Sequence, residues 1–62
     1  MKYPKGETVW VTYMSGGKPS YIVTSTNLRD KYFLYKVSGE TMKRVAKAET
    51  PDGFDKMVKE GV

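Results

Sequence analysis

Cysteine and histidine are both absent from this chain of 62 residues. Without either residue, the usual Cys/His zinc sites are excluded, and no disulfide can hold the fold together. The lack of histidine also removes the commonest general base, so a hydroxyl among Thr24, Ser25 and Thr26 has no histidine to activate it as a nucleophile. We therefore expect that the chain is not an enzyme and uses no cofactor.

Long apolar runs are missing as well. No stretch approaches the roughly 20 apolar residues that cross a bilayer, and no hydrophobic stretch follows the first residues as it would in a secretory signal. The hydrophobic fraction, 39%, is low for a globular chain, whereas the aromatic content, 13%, is high. We expect one small domain over residues 1–62, a cytoplasmic location, which the absence of Cys fits, and no membrane partner.

The net charge of +4 is distributed unevenly along the chain. Residues 1–48 carry nine Lys/Arg against three carboxylates, a net of +6, whereas residues 49–62 carry two lysines against four carboxylates, a net of −2. Such asymmetry is typical of a surface that faces a polyanion. Ordinary solubilising charge explains it equally well, so the charge alone does not select a function.

Four segments alternate apolar and polar residues and are separated by turn signals. They are rich in Val, Thr and aromatic residues, which favour strands. Gly16 and Gly17 supply the positive φ angles of a tight hairpin, and Gly39 marks another turn. Lys18 after the glycines does not complete a phosphate loop, because a strand and not a helix follows. The sequence predicts an antiparallel meander with strands over 7–14, 20–27, 32–37 and 41–48.

The spacing becomes helical near the C-terminus. Thr50 is the predicted N-cap and Pro51 the first helical residue, while Gly61 can end the helix. The apolar residues that recur at helical spacing are Phe54, Met57 and Val58. The sequence therefore predicts a helix over 51–60, which is too short to stand alone and must dock on the sheet. The predicted fold class is α+β.

Asp52 and Asp55 are the acidic pair that most resembles a metal or acid–base site. Both fall in the first turn of the predicted helix, where carboxylates complement the helix dipole. No histidine accompanies them in the chain. We therefore expect no metal and no catalysis there.

Hairpin pairing divides the strand residues between two faces, because directly opposite residues point the same way. The more apolar face is predicted to be the core under the helix, and it collects Val9, Val11, Tyr13, Ile22, Phe33, Tyr35, Val37, Met42 and Ala46. The other face collects Trp10, Tyr21, Val23, Tyr32, Leu34 and Val45, with Lys36, Lys43 and Lys47 among them. A β-bulge would transfer residues from one set to the other.

The second face is too hydrophobic for an ordinary wet surface and has two interpretations. Either the four strands coil into a small barrel, reminiscent of SH3-like barrels in general layout only, or the face is an exposed aromatic and basic surface. Trp10 is then a core anchor in the first case and a stacking surface in the second. Lys36 and Lys43 are predicted to lie directly opposite, where they repel unless they bind an anion or splay into water.

The leading functional hypothesis is a non-catalytic nucleic-acid-binding module. Its predicted site residues are Trp10, Tyr21, Tyr32, Lys36, Lys43 and Lys47, with Lys18, Arg29 and Arg44 as further cations. The alternative is a protein-interaction module or a small homodimer that uses the same face or an open edge of the sheet. Phosphate binding weakens steeply with salt and a hydrophobic interface does not, so salt dependence separates the two.

Overall fold

The computed structural model describes residues 3–26 and 31–61. The elements are β1 (Glu7–Ser15), β2 (Lys18–Thr26), β3 (Tyr32–Ser38), β4 (Thr41–Ala48) and α1 (Gly53–Glu60). The strands form one sheet in the order β1-β2-β3-β4, and neighbouring strands are antiparallel. The predicted meander and the α+β class are confirmed. Asn27, the predicted last residue of the second strand, and residues 28–30 lie outside the described residues.

Glycines form the two hairpin turns where the sequence predicts them. Ser15 pairs with Lys18, and Gly16 and Gly17 between them have φ angles of 61° and 78°. Gly39, with φ 62°, lies in the turn between β3 and β4. These left-handed backbone angles are open to glycine at little cost, which is why such turns fix the strand ends.

A β-bulge at Trp10 changes which face the later residues of β1 occupy. Val9 pairs with Thr24 on β2, whereas Val11 pairs with Val23, so Trp10 has no pairing partner of its own. The extra residue shifts the alternation of every residue that follows it in β1. Val11 therefore lies on the face of Val23, and the predicted placement on the opposite face is wrong.

A second bulge, at Val45, has the same effect on β4. Leu34 pairs with Ala46 and Tyr35 pairs with Arg44, which leaves Val45 as the extra residue. Ala46 consequently lies on the face of Leu34, although regular pairing predicted it on the face of Tyr35. Both bulges thus move apolar residues from one face of the sheet to the other.

The helix docks on the face that gains these residues, which we call the helix side. The buried cluster there consists of Tyr21, Val23, Leu34 and Phe54. Half-buried apolar residues packed against it are Tyr13, Tyr32, Val45, Ala46, Ala48, Met57 and Val58. The prediction that the helix covers the opposite face is therefore wrong. The bulges explain the difference, because they give the helix side a continuous apolar surface.

The opposite face, which we call the network side, is also partly buried. Ile22 and Thr24 are fully buried there, and Tyr35 is nearly so. The sheet nevertheless stays open, since β1 and β4 are its two ends and are not paired with each other. The SH3-like barrel, one of the two interpretations of the sequence, is not formed.

Helix α1 begins two residues later than the sequence predicts. Its N-cap is Asp52, which makes no side-chain capping bond, and the backbone N–H of Phe54 donates to the Pro51 carbonyl at 3.2 Å. Thr50 and Pro51 thus form the turn into the helix. Gly61 ends the helix as predicted, with φ 74° and an N–H that donates to the Val58 carbonyl at 3.1 Å.

Candidate nucleic-acid interface

Trp10 and Tyr32 form an aromatic pair at the surface of the helix side. Their ring centroids lie 5.4 Å apart and their planes make an angle of 73°, the edge-to-face arrangement that aromatic rings favour. Trp10 is 56% exposed, whereas Tyr32 is half-buried against the core cluster. A largely exposed tryptophan held against a second ring offers a flat apolar surface on which a base can stack.

The third predicted aromatic residue, Tyr21, lies elsewhere. It is only 7% exposed and belongs to the core cluster with Val23, Leu34 and Phe54. Its ring is therefore covered by the helix side of the fold and offers no face to a base. The predicted role of Tyr21 as a stacking residue therefore does not fit its place in the core.

Lys36 and Lys43 lie directly opposite each other on β3 and β4, in the register that the sequence predicts. Both side chains are exposed. Lys36 shares the helix side with Tyr32, four residues away, which is about 13 Å along a strand. Leu34 lies between them, under Phe54. The structure thus separates the lysine pair from the aromatic pair by the docked helix.

Lys47 occupies a different place from the predicted one. The bulge at Val45 pairs it with Phe33, whereas regular alternation predicted it beside Tyr32. It lines a shallow pocket of about 160 Å³ together with Lys31, Ala48 and Glu49. The pairing with Phe33 places Lys47 on the network side, so its predicted place on the face of Tyr32 is wrong. The pocket itself lies next to Tyr32, which pairs with Ala48 and directly follows Lys31.

The additional cations that the sequence suggests are differently placed. Lys18 is exposed at the end of the β1–β2 hairpin. The Arg44 guanidinium lies 3.9 Å from the centroid of the Phe33 ring and 2.6 Å from a carboxylate oxygen of Glu7. The Arg44 guanidinium therefore contacts other residues of the sheet and has a structural role there. Arg29 lies outside the described residues.

A hydrogen-bond network on the network side is centred on the carboxylate of Glu7. Its Oε2 accepts hydrogen bonds from Thr24 Oγ1 at 2.5 Å and from the Tyr35 hydroxyl at 3.2 Å, while Arg44 contacts Oε1. The Glu7 side chain is 12% exposed and that of Arg44 is 46% exposed. One residue from each strand thus meets in this network, which sequence reasoning missed because no local signal links positions so far apart.

Tyr13 and Asp55 tie the helix to β1. The Tyr13 hydroxyl donates to Oδ1 of Asp55. Burial, followed by this hydrogen bond and by the negative charges of Asp55 and Asp52, raises the pKa of Tyr13 to about 12. Asp55 therefore has a structural partner. Within the described part of the chain, no group of three or more Asp or Glu side chains is arranged to hold a metal ion.

No protein-family model matches this chain, and neither the curated proteins nor the solved structures include a match to it. Among residues 3–26 and 31–61, no helix is long and apolar enough to cross a membrane.

Proposed function

We propose that this chain is a small non-catalytic binding module that takes a single-stranded nucleic acid on the surface around Trp10 and Tyr32. The observation that carries the proposal is the 56% exposure of Trp10, since large aromatic residues are buried on average. Every base has a flat face, so stacking on such a ring tolerates any sequence. We also expect a cytoplasmic location, as the sequence predicts.

The lysines around the aromatic pair would neutralise the phosphates. Lys31 and Lys47 line the pocket that borders Tyr32, and Lys36 and Lys43 lie beyond the helix on the same sheet. None of these four lysines takes part in the ion pair of the sheet, which joins Arg44 to Glu7. Glu49 in the pocket subtracts one charge from this part of the surface.

A single strand suits this surface better than a duplex. Stacking on a protein ring requires a base that is free of its own stack, which single strands provide. The only described helix, α1, packs Phe54 into the core and carries Asp55 in its first turn. A helix that is eight residues long and docked in this way is poorly suited to enter a major groove.

The test is a titration with a short single-stranded oligonucleotide, followed by the fluorescence of Trp10, the one tryptophan in the chain. We expect quenching at low salt that weakens as salt is added, with a slope of about 0.7 per bound phosphate. With a labelled oligonucleotide, Trp10→Ala should weaken binding by about 1–3 kcal/mol. Tyr3→Ala is the matched control, because Tyr3 is 48% exposed and lies outside the pair. Absence of binding at low salt would end this proposal.

A protein-interaction module is the second candidate, and one observation favours it. Within the described residues, the large hydrophobic side chains that are exposed all lie between positions 3 and 14, namely Tyr3, Val9, Trp10, Val11 and Met14. Exposed apolar residues that are concentrated in this way often mark a contact with another protein. Binding that persists at high salt would favour this candidate over nucleic acid.

A further inference from the structure

The outer edge of β1 is apolar on both faces of the sheet. Val9 lies on the network side, while Trp10 and Val11 lie on the helix side, and all three are at least 36% exposed. β1 is the first strand of the sheet and pairs only with β2, so its other edge is open. Glu7 is the single charged residue of the strand, and its carboxylate is paired with Arg44. An open edge of this kind readily accepts another strand.

The opposite edge of the sheet has the contrary character. β4 carries Lys43, Arg44 and Lys47, all exposed, within its eight residues. Charged side chains, and lysines above all, discourage the addition of a strand to an edge. The two edges therefore differ in charge, and of the two only the β1 edge lacks lysines.

We propose that two copies of this chain associate through antiparallel pairing of their β1 strands, about a two-fold axis near Val11. Val11 is the middle residue of the strand Glu7–Ser15. Because the bulge leaves Trp10 unpaired, Glu7 lies opposite Met14 of the second copy in this register, so no like charges face each other across the interface. A copy of β1 also supplies apolar side chains on both faces, which is what this edge exposes.

The distribution of charge explains why such an assembly stops at two copies. Pairing β1 with β1 leaves the two β4 edges at the ends of an eight-stranded sheet, and both ends are basic. An interface in which the same surface is used by both copies is closed, whereas pairing β1 with β4 would be open-ended and lead to fibres. The lysines and arginine of β4 oppose that open-ended growth.

The bulge at Trp10 limits the strength of the association. It interrupts the regular hydrogen-bonding pattern of β1, so the ladder between copies is short. We therefore expect a dimer that dissociates on dilution and is insensitive to added salt. Both copies of Trp10 would lie on the helix side of the joined sheet, near the axis, so the dimer would present the two tryptophans side by side on one surface.

The test combines sedimentation with cysteine cross-linking, and neither requires a nucleic acid. The chain contains no Cys, so Val11→Cys introduces a unique thiol close to its symmetry mate. The matched control is Lys43→Cys, an exposed position on the other edge strand. We expect a concentration-dependent dimer by sedimentation, and a Val11→Cys disulfide that forms many-fold faster than that of Lys43→Cys. Within the dimer, the thiols at position 11 are held at an effective concentration that is roughly millimolar.

Lysine substitutions supply the loss-of-function arm of the experiment. Val11→Lys places two positive charges next to the axis and should yield a folded monomer, with folding checked by circular dichroism. Val9→Lys, at a position that is 36% exposed, serves as a second variant if Val11→Lys fails to fold. A chain that sediments as a monomer at all concentrations would overturn the proposal. So would a dimer that survives both lysine variants, or equal cross-linking at positions 11 and 43.

Discussion

The guanidinium of Arg44 on β4 lies 2.6 Å from the carboxylate of Glu7 on β1, so side chains connect the two edge strands across an open sheet. The contact passes over Thr24 and Tyr35, which hydrogen-bond to the same carboxylate from the two central strands. Each of the four strands thus contributes one residue to a single network.

Glu7→Ala should destabilise the domain by about 1–3 kcal/mol. The substitution removes the acceptor of the Thr24 hydroxyl, which is fully buried, and a buried polar group without its partner is costly. Arg44→Ala should cost less, about 1 kcal/mol, because the Arg44 side chain is 46% exposed. Urea unfolding measures both values.

The control for this pair is Glu40→Ala, which removes an exposed carboxylate in the turn between β3 and β4. It should change stability by no more than about 0.5 kcal/mol. The double variant of Glu7 and Arg44 should be less destabilised than the sum of the single variants, because the residues share one network. Strict additivity would show that the network is not coupled.

Phe54→Ala should destabilise the domain by about 3–5 kcal/mol, because Phe54 is fully buried in the core cluster. That loss approaches the whole stability of a chain this short. Phe54→Leu should therefore be measured beside it and fall between wild type and alanine in thermal melts. Lys56→Ala, at an exposed position of the same helix, is the control. An unchanged melting temperature for Phe54→Ala would show that α1 is not docked on the sheet.

The turns and strand limits of this fold are accessible from sequence because they depend on local chemistry. Gly16 and Gly17 adopt the positive φ angles that the hairpin requires, and Gly61 ends the helix in the same way. These are properties of glycine itself, which needs no tertiary contact to prefer such positions over other residues. The register at the start of β4 is accessible for the same reason, since Gly39 fixes the turn before it.

The identity of the helix-covered face is not accessible from sequence. It depends on the bulges at Trp10 and Val45. No glycine or proline lies within three residues of either position to indicate a bulge. A single extra residue reverses the facing of all that follow in the strand. In the candidate site, Trp10 and Tyr32 do share one surface, as the sequence predicts. Lys47 follows the bulge at Val45, and the sequence therefore gives it the wrong strand partner. The burial of Tyr21 has the same origin, since the helix covers its face.

Tyr13 should ionise at a higher pH than an ordinary tyrosine in an alkaline titration. Its pKa is raised to about 12, with burial as the main cause and the bond to Asp55 next. Absorbance of the phenolate should reveal one late step, which Tyr13→Phe removes and Asp55→Asn moves to lower pH. A titration in which Asp55→Asn leaves every step unchanged would contradict the contact between β1 and the helix.

The same shift gives the pH dependence of stability a definite sign. The folded pKa of Tyr13 is above its unfolded value of 10.0, so folding favours the neutral phenol. The resulting stabilisation is complete below about pH 10 and is lost as the pH rises toward about 12. The stability difference between wild type and Tyr13→Phe should therefore be constant at neutral pH and should shift against the wild type in that alkaline window.

Lys36 and Lys43 offer a charge exchange that separates stability from binding. They are exposed and directly opposite, so they repel each other across the strands. Lys43→Glu creates an attractive pair and should stabilise the domain by about 0.2–1 kcal/mol, whereas the double change to Glu restores repulsion and should leave stability near that of wild type.

If these lysines bind phosphates, the double variant should bind oligonucleotides much more weakly, and its salt slope should fall by about 0.7–0.9 for each phosphate that is no longer neutralised. Glu40→Lys, which adds charge outside the pair, controls for the overall field of the molecule. Unchanged binding by a stable double variant would confine the interface to Trp10, Tyr32 and the lysines of the neighbouring pocket, because reversing both charges would then have left the binding of the strand intact.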